Sequence, residues 1–162
     1  MTGIEAIDPV QADDQHVTVG ALQHSLGFLM RIAQLRVYDK FYARFADSDL
    51  RPGEFSILWV IHLNPGIRQG RLAQTLNIKP AHMTKTIRRL EDSAMVARHV
   101  PDADRRSVHL RLTTVGEDFV AANEAHFFGV NAYHDSDLTP DESRQLAGLL
   151  MKYCGFAPKE TT

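Results

Sequence analysis

The sequence predicts a mainly α-helical fold with one small β-hairpin, in the order α-α-α-α-β-β-α-α. Three observations carry that expectation. Apolar residues recur at three- and four-residue steps in several segments, the period of a helix with one buried face. Two short runs, VARHV and SVHLRLT, alternate in the two-residue rhythm of strands around the polar turn PDADRR. Prolines and capping residues stand between the segments or at their first turns.

In chain order, residues 1–17 are polar, acidic and aperiodic, and read as a mobile arm. From Val19 a long amphipathic helix is expected, with Leu22, Leu26, Leu29, Ala33, Val37, Phe41 and Phe45 as its stripe. Asp47, Ser48 and Asp49 interrupt it, and Pro52 suits the first turn of a second helix carrying Phe55, Leu58, Trp59 and Ile61. That helix stops at Asn64-Pro65-Gly66. A third helix, RQGRLAQTLN, puts Leu72, Ala73 and Leu76 on one face. Pro80 opens a fourth, running to about Asp92 with Met83, Ile87 and Leu90 inward. After the hairpin, Thr114 and Glu117 have capping-box spacing for a fifth helix, with Thr113 as the alternative cap. Phe119, Val120, Phe127, Phe128 and Val130 supply its apolar surface. Thr139-Pro140-Asp141-Glu142 starts a sixth, with Leu146, Leu149, Leu150 and Tyr153 as a buried stripe.

Composition excludes several classes. No apolar run approaches the roughly 18 residues of a membrane span. The start, MTGIEAIDPVQADD, lacks the layout of a signal peptide, so a cytoplasmic location is expected. Cys154 is the only cysteine, which rules out an intramolecular disulfide and a cysteine-rich zinc site. The net charge of −2 conceals a division along the chain. Residues 51–112 hold eleven basic against five acidic residues, a net +6, and the flanks hold seven against fifteen, a net −8. A basic middle between acidic ends suits a nucleic-acid-facing surface. A solvated arginine surface fits the charge equally well, so the spacing has to decide.

Two short helices joined by a tight turn and followed by a basic hairpin are the parts of a winged helix-turn-helix. A major groove about 12 Å wide admits one helix, which must offer small and polar side chains to the base edges. On the fourth helix, the face opposite Met83, Ile87 and Leu90 carries Ala81, His82, Thr84, Lys85 and Arg88. Lys85, Arg88 and Arg89 argue against the other use of such a fold, a protein-interaction module, which would present an apolar or acidic helix.

The stretch from Arg51 to Phe119 resembles the central region of the MarR family of bacterial regulators. The matching residues are Leu72-Ala73, Leu76, Thr84-Lys85, Leu90-Glu91, Asp104-Arg105-Arg106 and Leu112-Thr113 with Gly116, in the family's order and spacing. The resemblance implies a transcriptional regulator, acting as a repressor. It implies a two-fold homodimer on double-stranded DNA, with two recognition helices in successive major grooves and each wing at a minor groove. It puts Thr84 and Lys85 at the bases, Arg106 in the minor groove, Asp104 as the acid bracing that arginine, and Arg105 beside them. The implied division is a dimerisation helix at 18–50, a winged helix-turn-helix at 51–113 and C-terminal dimerisation helices at 114–162. It also implies release by a small, anionic or aromatic ligand between the first, second and fifth helices, where His24, Phe28, Arg31, Tyr38, Trp59 and His62 are the candidates. Core or dimer packing is the competing reading of each.

Two positions depart from the family pattern. Ala94 stands where glycine is usual at a helix end that tends to need positive φ, so a slightly different helix end is expected. Lys79 takes the N-cap position of the recognition helix, where Ser or Asp is usual, and adds positive charge at the positive end of the helix dipole. A bound phosphate would offset that.

Other chemistries find little support. His126 and His134 are eight residues apart near Asp135 and Asp137, but HxxxH, HExxH and cysteine clusters are missing, so no metal site is assigned. A metal-responsive regulator of the same fold stays as an alternative. Cys154, beside Tyr153 and Phe156, reads as a small buried hydrophobe more readily than as a redox switch. No nucleophile elbow, P-loop or dinucleotide fingerprint is found, so neither an enzyme nor a bound cofactor is expected.

Overall fold

The computed structural model describes residues 17–45, 50–101, 107–128 and 138–156. The N-terminal arm, the wing tip with Asp104, Arg105 and Arg106, and the segment with Val130, His134, Asp135 and Asp137 lie outside the described residues. The chain forms two compact units, Met1–Pro52 and Gly53–Thr162.

In the first unit a 3-10 turn, Gly20–His24, precedes helix α1, Leu26–Arg44. The expected single helix from Val19 is therefore broken at Ser25, whose extended backbone (φ −80°, ψ 116°) lets its N–H bond to the Leu22 carbonyl. Apolar spacing cannot register that break, because Leu22 and Leu26 keep helical spacing across it. Phe41 and Phe45 pack one turn apart with tilted rings whose centres are 4.6 Å apart. Leu22, Leu26, Leu29 and Val37 stay exposed in the single chain.

The second unit runs α2 (Glu54–Leu63), β1 (Ile67–Arg68), α3 (Gln69–Thr75), α4 (Pro80–Asp92), β2 (Val96–His99), β3 (His109–Leu112), α5 (Thr114–Phe128) and α6 (Pro140–Tyr153). Phe55, Leu58, Ile61, Leu72, Met83, Ile87, Leu90, Leu110 and Val120 are its fully buried side chains. They come from α2, α3, α4, β3 and α5, so one apolar core holds the helix-turn-helix and the hairpin together.

Three boundaries differ from expectation. The second helix starts at Glu54 and not at Pro52, because Gly53 sits before it at φ +88°, a conformation glycine adopts without a Cβ penalty. Arg68 belongs to a strand and not to the third helix. Ile67 and Arg68 pair antiparallel with Leu110 and His109, giving a three-stranded sheet in the order β1-β3-β2. A two-residue strand has no alternation to read; its partner creates it, through Gly66 N–H to Leu110 O and Gln69 N–H to Val108 O, both 2.8 Å. Finally, Thr113 caps α5, its hydroxyl accepting from the Gly116 N–H at 3.1 Å, and Glu117 pairs elsewhere.

Two tight reversals orient α4. After α3, Asn77 takes φ +52°, and the N–H groups of Asn77 and Ile78 return to the carbonyls of Gln74 and Ala73. Asparagine tolerates this left-handed position better than most residues. After α4, Ala94 takes φ +56°, its N–H donating to Glu91 O (2.8 Å) and the Met95 N–H to Leu90 O (2.9 Å). The expected altered helix end is therefore corrected: alanine is held in the glycine-type conformation. Both sides pin it, since the Thr113 N–H bonds to Met95 O at 3.1 Å and the Thr113 hydroxyl donates to Ala94 O. Relieving that strain by Ala94→Gly should raise stability by on the order of 1 kcal/mol, less the extra chain entropy of glycine. In a chemical denaturation series, an unchanged or lowered midpoint would contradict it.

Helix α6 opens on a full capping box, the Thr139 hydroxyl accepting from Glu142 N–H and the Glu142 carboxylate accepting from the Thr139 N–H at 2.8 Å. That backbone bond, with the Thr139 hydroxyl second, holds the Glu142 carboxyl below the usual range. The expected stripe Leu146, Leu149, Leu150 and Tyr153 is present but exposed in the single chain, which corrects its reading as buried. Cys154, at the C-cap of α6, is also exposed and not a core residue.

Candidate nucleic-acid interface

The recognition helix candidate α4 divides its surface cleanly. Met83, Thr86, Ile87 and Leu90 are buried, and Ala81, His82, Thr84, Lys85 and Arg88 are exposed. Lys79 is the N-cap, exposed and without a side-chain cap bond, and Pro80 stands at the first turn. No acidic residue occurs between Glu54 and Glu91, so the exposed face of α4 carries no carboxylate before Asp92 at its last residue.

Thr84 is not a free hydroxyl. It donates to Pro80 O and accepts from Gln69 Nε2, both at 3.0 Å. Gln69, at the start of α3, thereby ties that helix to the second turn of α4; sequence reading gave it no role, since nothing in a 15-residue separation marks the pair.

Arg89 is the main correction on α4. It reads as part of the cationic face, but its guanidinium turns inward and forms a two-pronged pair with Glu54. Glu54 is buried and its Oε1 lies 2.9 Å from Arg89 Nε. The first residue of α2 and the last turn of α4 are thus locked together. The fork geometry of arginine suits this pairing where a lysine would satisfy only one oxygen. At the same end of α4, Arg98 Nε of β2 lies 2.7 Å from Glu91 Oε2. The exposed positive charge of α4 therefore rests on Lys79, Lys85 and Arg88.

Of the six ligand candidates, His24, Phe28, Arg31 and Tyr38 lie in the first unit, where His24 and Arg31 are exposed and Phe28 and Tyr38 half-buried. Trp59 and His62 lie on α2 in the second unit. Trp59 joins an aromatic cluster with Phe128 (4.6 Å) and Phe55, which itself stacks on Phe127 at 4.3 Å. His62 Nδ1 is 2.5 Å from Glu117 Oε2, tying α2 to α5. A separate open cleft of about 510 Å³, lined by Val60, Asn64, Gly66, Arg71 and Thr75 among others, includes none of the six.

Among the described residues, no cluster of three or more His, Cys, Asp or Glu could hold a metal ion, and His126 is exposed on α5. No described helix is long and apolar enough to cross a membrane.

A helix-turn-helix whose second helix exposes a small, polar, cationic face, followed directly by a strand pair and backed by a third strand, defines a winged helix-turn-helix protein. Residues 50–108 match the model of the MarR family. It is 26% identical over 145 residues to a transcriptional regulatory protein assigned to the hcr operon of Thauera aromatica, covering 89% of this chain and 87% of that one. The structure is similar to the transcriptional repressor CouR bound to a 23-mer DNA duplex, with TM-score 0.76, 29% identity and coverage of 86% of this chain and 99% of that one. CouR bound to p-coumaroyl-CoA matches with TM-score 0.75, 26% identity and coverage of 86% and 98%. These relatives are transcriptional regulators, not enzymes.

Proposed function

We propose that this protein is a homodimeric transcriptional repressor that binds a pseudo-palindromic operator and is released by a small anionic or aromatic ligand. The observation that carries the reading is the exposed face of α4, cationic from Lys79 to Arg88 with no carboxylate before Asp92, and fixed on the core by the Arg89–Glu54 pair. The likeness to DNA-bound CouR supports it. The exposed apolar stripes of α1 and α6 support dimerisation, since a partner would remove them from water. The p-coumaroyl-CoA complex of CouR supports an aromatic acyl thioester as the effector class, and the Trp59 cluster with His62 is the proposed contact on the second unit.

In this reading Thr84 and Lys85 meet base edges, while Arg106, braced by Asp104 and flanked by Arg105, enters the minor groove, whose narrow A·T-rich form concentrates negative potential. Because the Thr84 hydroxyl is already engaged twice, its methyl group and Lys85 are the parts free to read bases.

Genomic fragments selected by binding would supply an operator for the test. Lys85→Ala should relax discrimination at particular base pairs by roughly 1–3 kcal/mol, and Arg106→Ala should weaken binding to all sites. Asp104→Ala should resemble a milder Arg106→Ala. Titration against operator and scrambled duplex, with thermal melts as folding control, distinguishes the two. Parental affinity in Arg106→Ala would remove the wing from the groove.

A further inference from the structure

The outer face of the three-stranded sheet holds a second cationic surface. Residues directly opposite on neighbouring strands share a face, and so do residues two apart on one strand. Arg68 lies opposite His109, and His109 opposite His99, while Arg111 is two residues along from His109. The alternate positions Leu110 and Val96 are buried in the core. The outer face therefore carries Arg68, His99, Ala97, His109 and Arg111, with no carboxylate in its register. Arg68, His99 and Arg111 are exposed.

The groups on this face converge on the turn at Gly66. His109 Nδ1 lies 2.8 Å from Gly66 O, and Arg111 Nε lies 3.9 Å from where a Cβ on Gly66 would stand. Arg71 of α3 lines the cleft on the same turn. From Arg68 the chain passes directly to Gln69, which is bonded to Thr84 of α4, so this end of the sheet adjoins the exposed recognition face.

The histidine bond has a chemical consequence. A carbonyl oxygen only accepts, so Nδ1 of His109 carries the hydrogen, and the neutral ring presents a bare lone pair at Nε2. Such a ring repels a phosphate oxygen. It can donate to one only after Nε2 takes a proton from solvent. The charged and titratable groups around it are Arg68 from β1, His99 from β2, Arg111 from β3 and Arg71 from α3, none of them a carboxylate.

We propose that this outer face contacts the phosphate backbone of duplex DNA, and that His109 takes up a proton when the duplex binds. The inference rests on the DNA-binding reading and adds to it a surface outside α4 and the wing tip.

The test is binding to a defined duplex of arbitrary sequence, followed by fluorescence anisotropy against salt and pH, with circular dichroism as folding control. Arg68→Gln with Arg111→Gln, both at exposed positions, should reduce the slope of log affinity against log salt by roughly 2. In a His82→Gln background, which removes the histidine on α4, affinity should still rise from about pH 8 to about pH 6. Adding His109→Gln should abolish most of that rise. Variants that bind the duplex with unchanged slope and unchanged pH response would overturn this proposal alone. A parent protein that binds no duplex at any salt would overturn the DNA-binding reading as well.

Discussion

Replacing Arg89 by alanine is expected to destabilise the protein by about 3–5 kcal/mol, because it leaves the Glu54 carboxylate buried without its guanidinium. The neighbouring Arg88→Ala removes an exposed cation and should leave stability within about 0.5 kcal/mol of the parent. DNA binding should show the reverse pattern. Arg88→Ala lowers the salt slope by about one phosphate contact, and Arg89→Ala, under conditions where it stays folded, leaves the slope unchanged. Replacing both members of the pair, Glu54→Leu with Arg89→Met, should recover most of the lost stability, since no unpaired charge remains inside. Urea denaturation at fixed protein concentration reads all three stabilities, the concentration being held because a dimer's stability depends on it. An Arg89→Ala midpoint equal to the parent's would show that the pair does not anchor α4.

The second large effect is expected at Gly116, in the first turn of α5. A Cβ there would stand 2.1 Å from Met95 O and 3.1 Å from the Met95 carbonyl carbon. Glycine-to-alanine inside a helix ordinarily stabilises by about 1 kcal/mol. Here the sign should reverse, to a loss of about 1–3 kcal/mol, because the obstacle is backbone. Met95 O cannot swing aside without giving up the bond it accepts from the Thr113 N–H at 3.1 Å. Gly148 in α6 is the matched control: nothing lies within 4 Å of its Cβ position, so Gly148→Ala should stabilise. Thermal melts of the two single variants should move in opposite directions. A Gly116→Ala protein as stable as the parent would mean that the junction relaxes freely.

The Gly116 contact makes Leu112, Thr113 and Gly116 one structural unit in this chain. Leu112 ends the wing strand, and Thr113 caps α5 while bonding to the carbonyl of Ala94. Gly116 then lets α5 pass against the backbone that leaves α4. One short segment thus joins the wing, the end of α4 and the fifth helix. Ala94 belongs to the same junction. Its left-handed conformation is imposed by the Leu90, Glu91 and Thr113 bonds around it, although its side chain disfavours that conformation.

Periodicity alone determined the helices and the hairpin, because burial of one face writes itself into local spacing. Met83, Ile87 and Leu90 reported the inner face of α4, and so exposed Ala81, His82, Thr84, Lys85 and Arg88 by elimination. Proline and threonine at Pro80 and Thr139 marked two helix starts for equally local reasons. What depends on partners distant in the chain was not legible. Arg89 looks like Arg88 until Glu54, 35 residues away, claims it. Ile67 and Arg68 become a strand only because β3 lies beside them, and the break at Ser25 leaves the apolar spacing intact. The stripe of α6 was legible as apolar, but no local pattern states whether a face is covered by its own chain. Only the tertiary structure shows it bare, since coverage depends on where other residues lie and not on the order in which they follow.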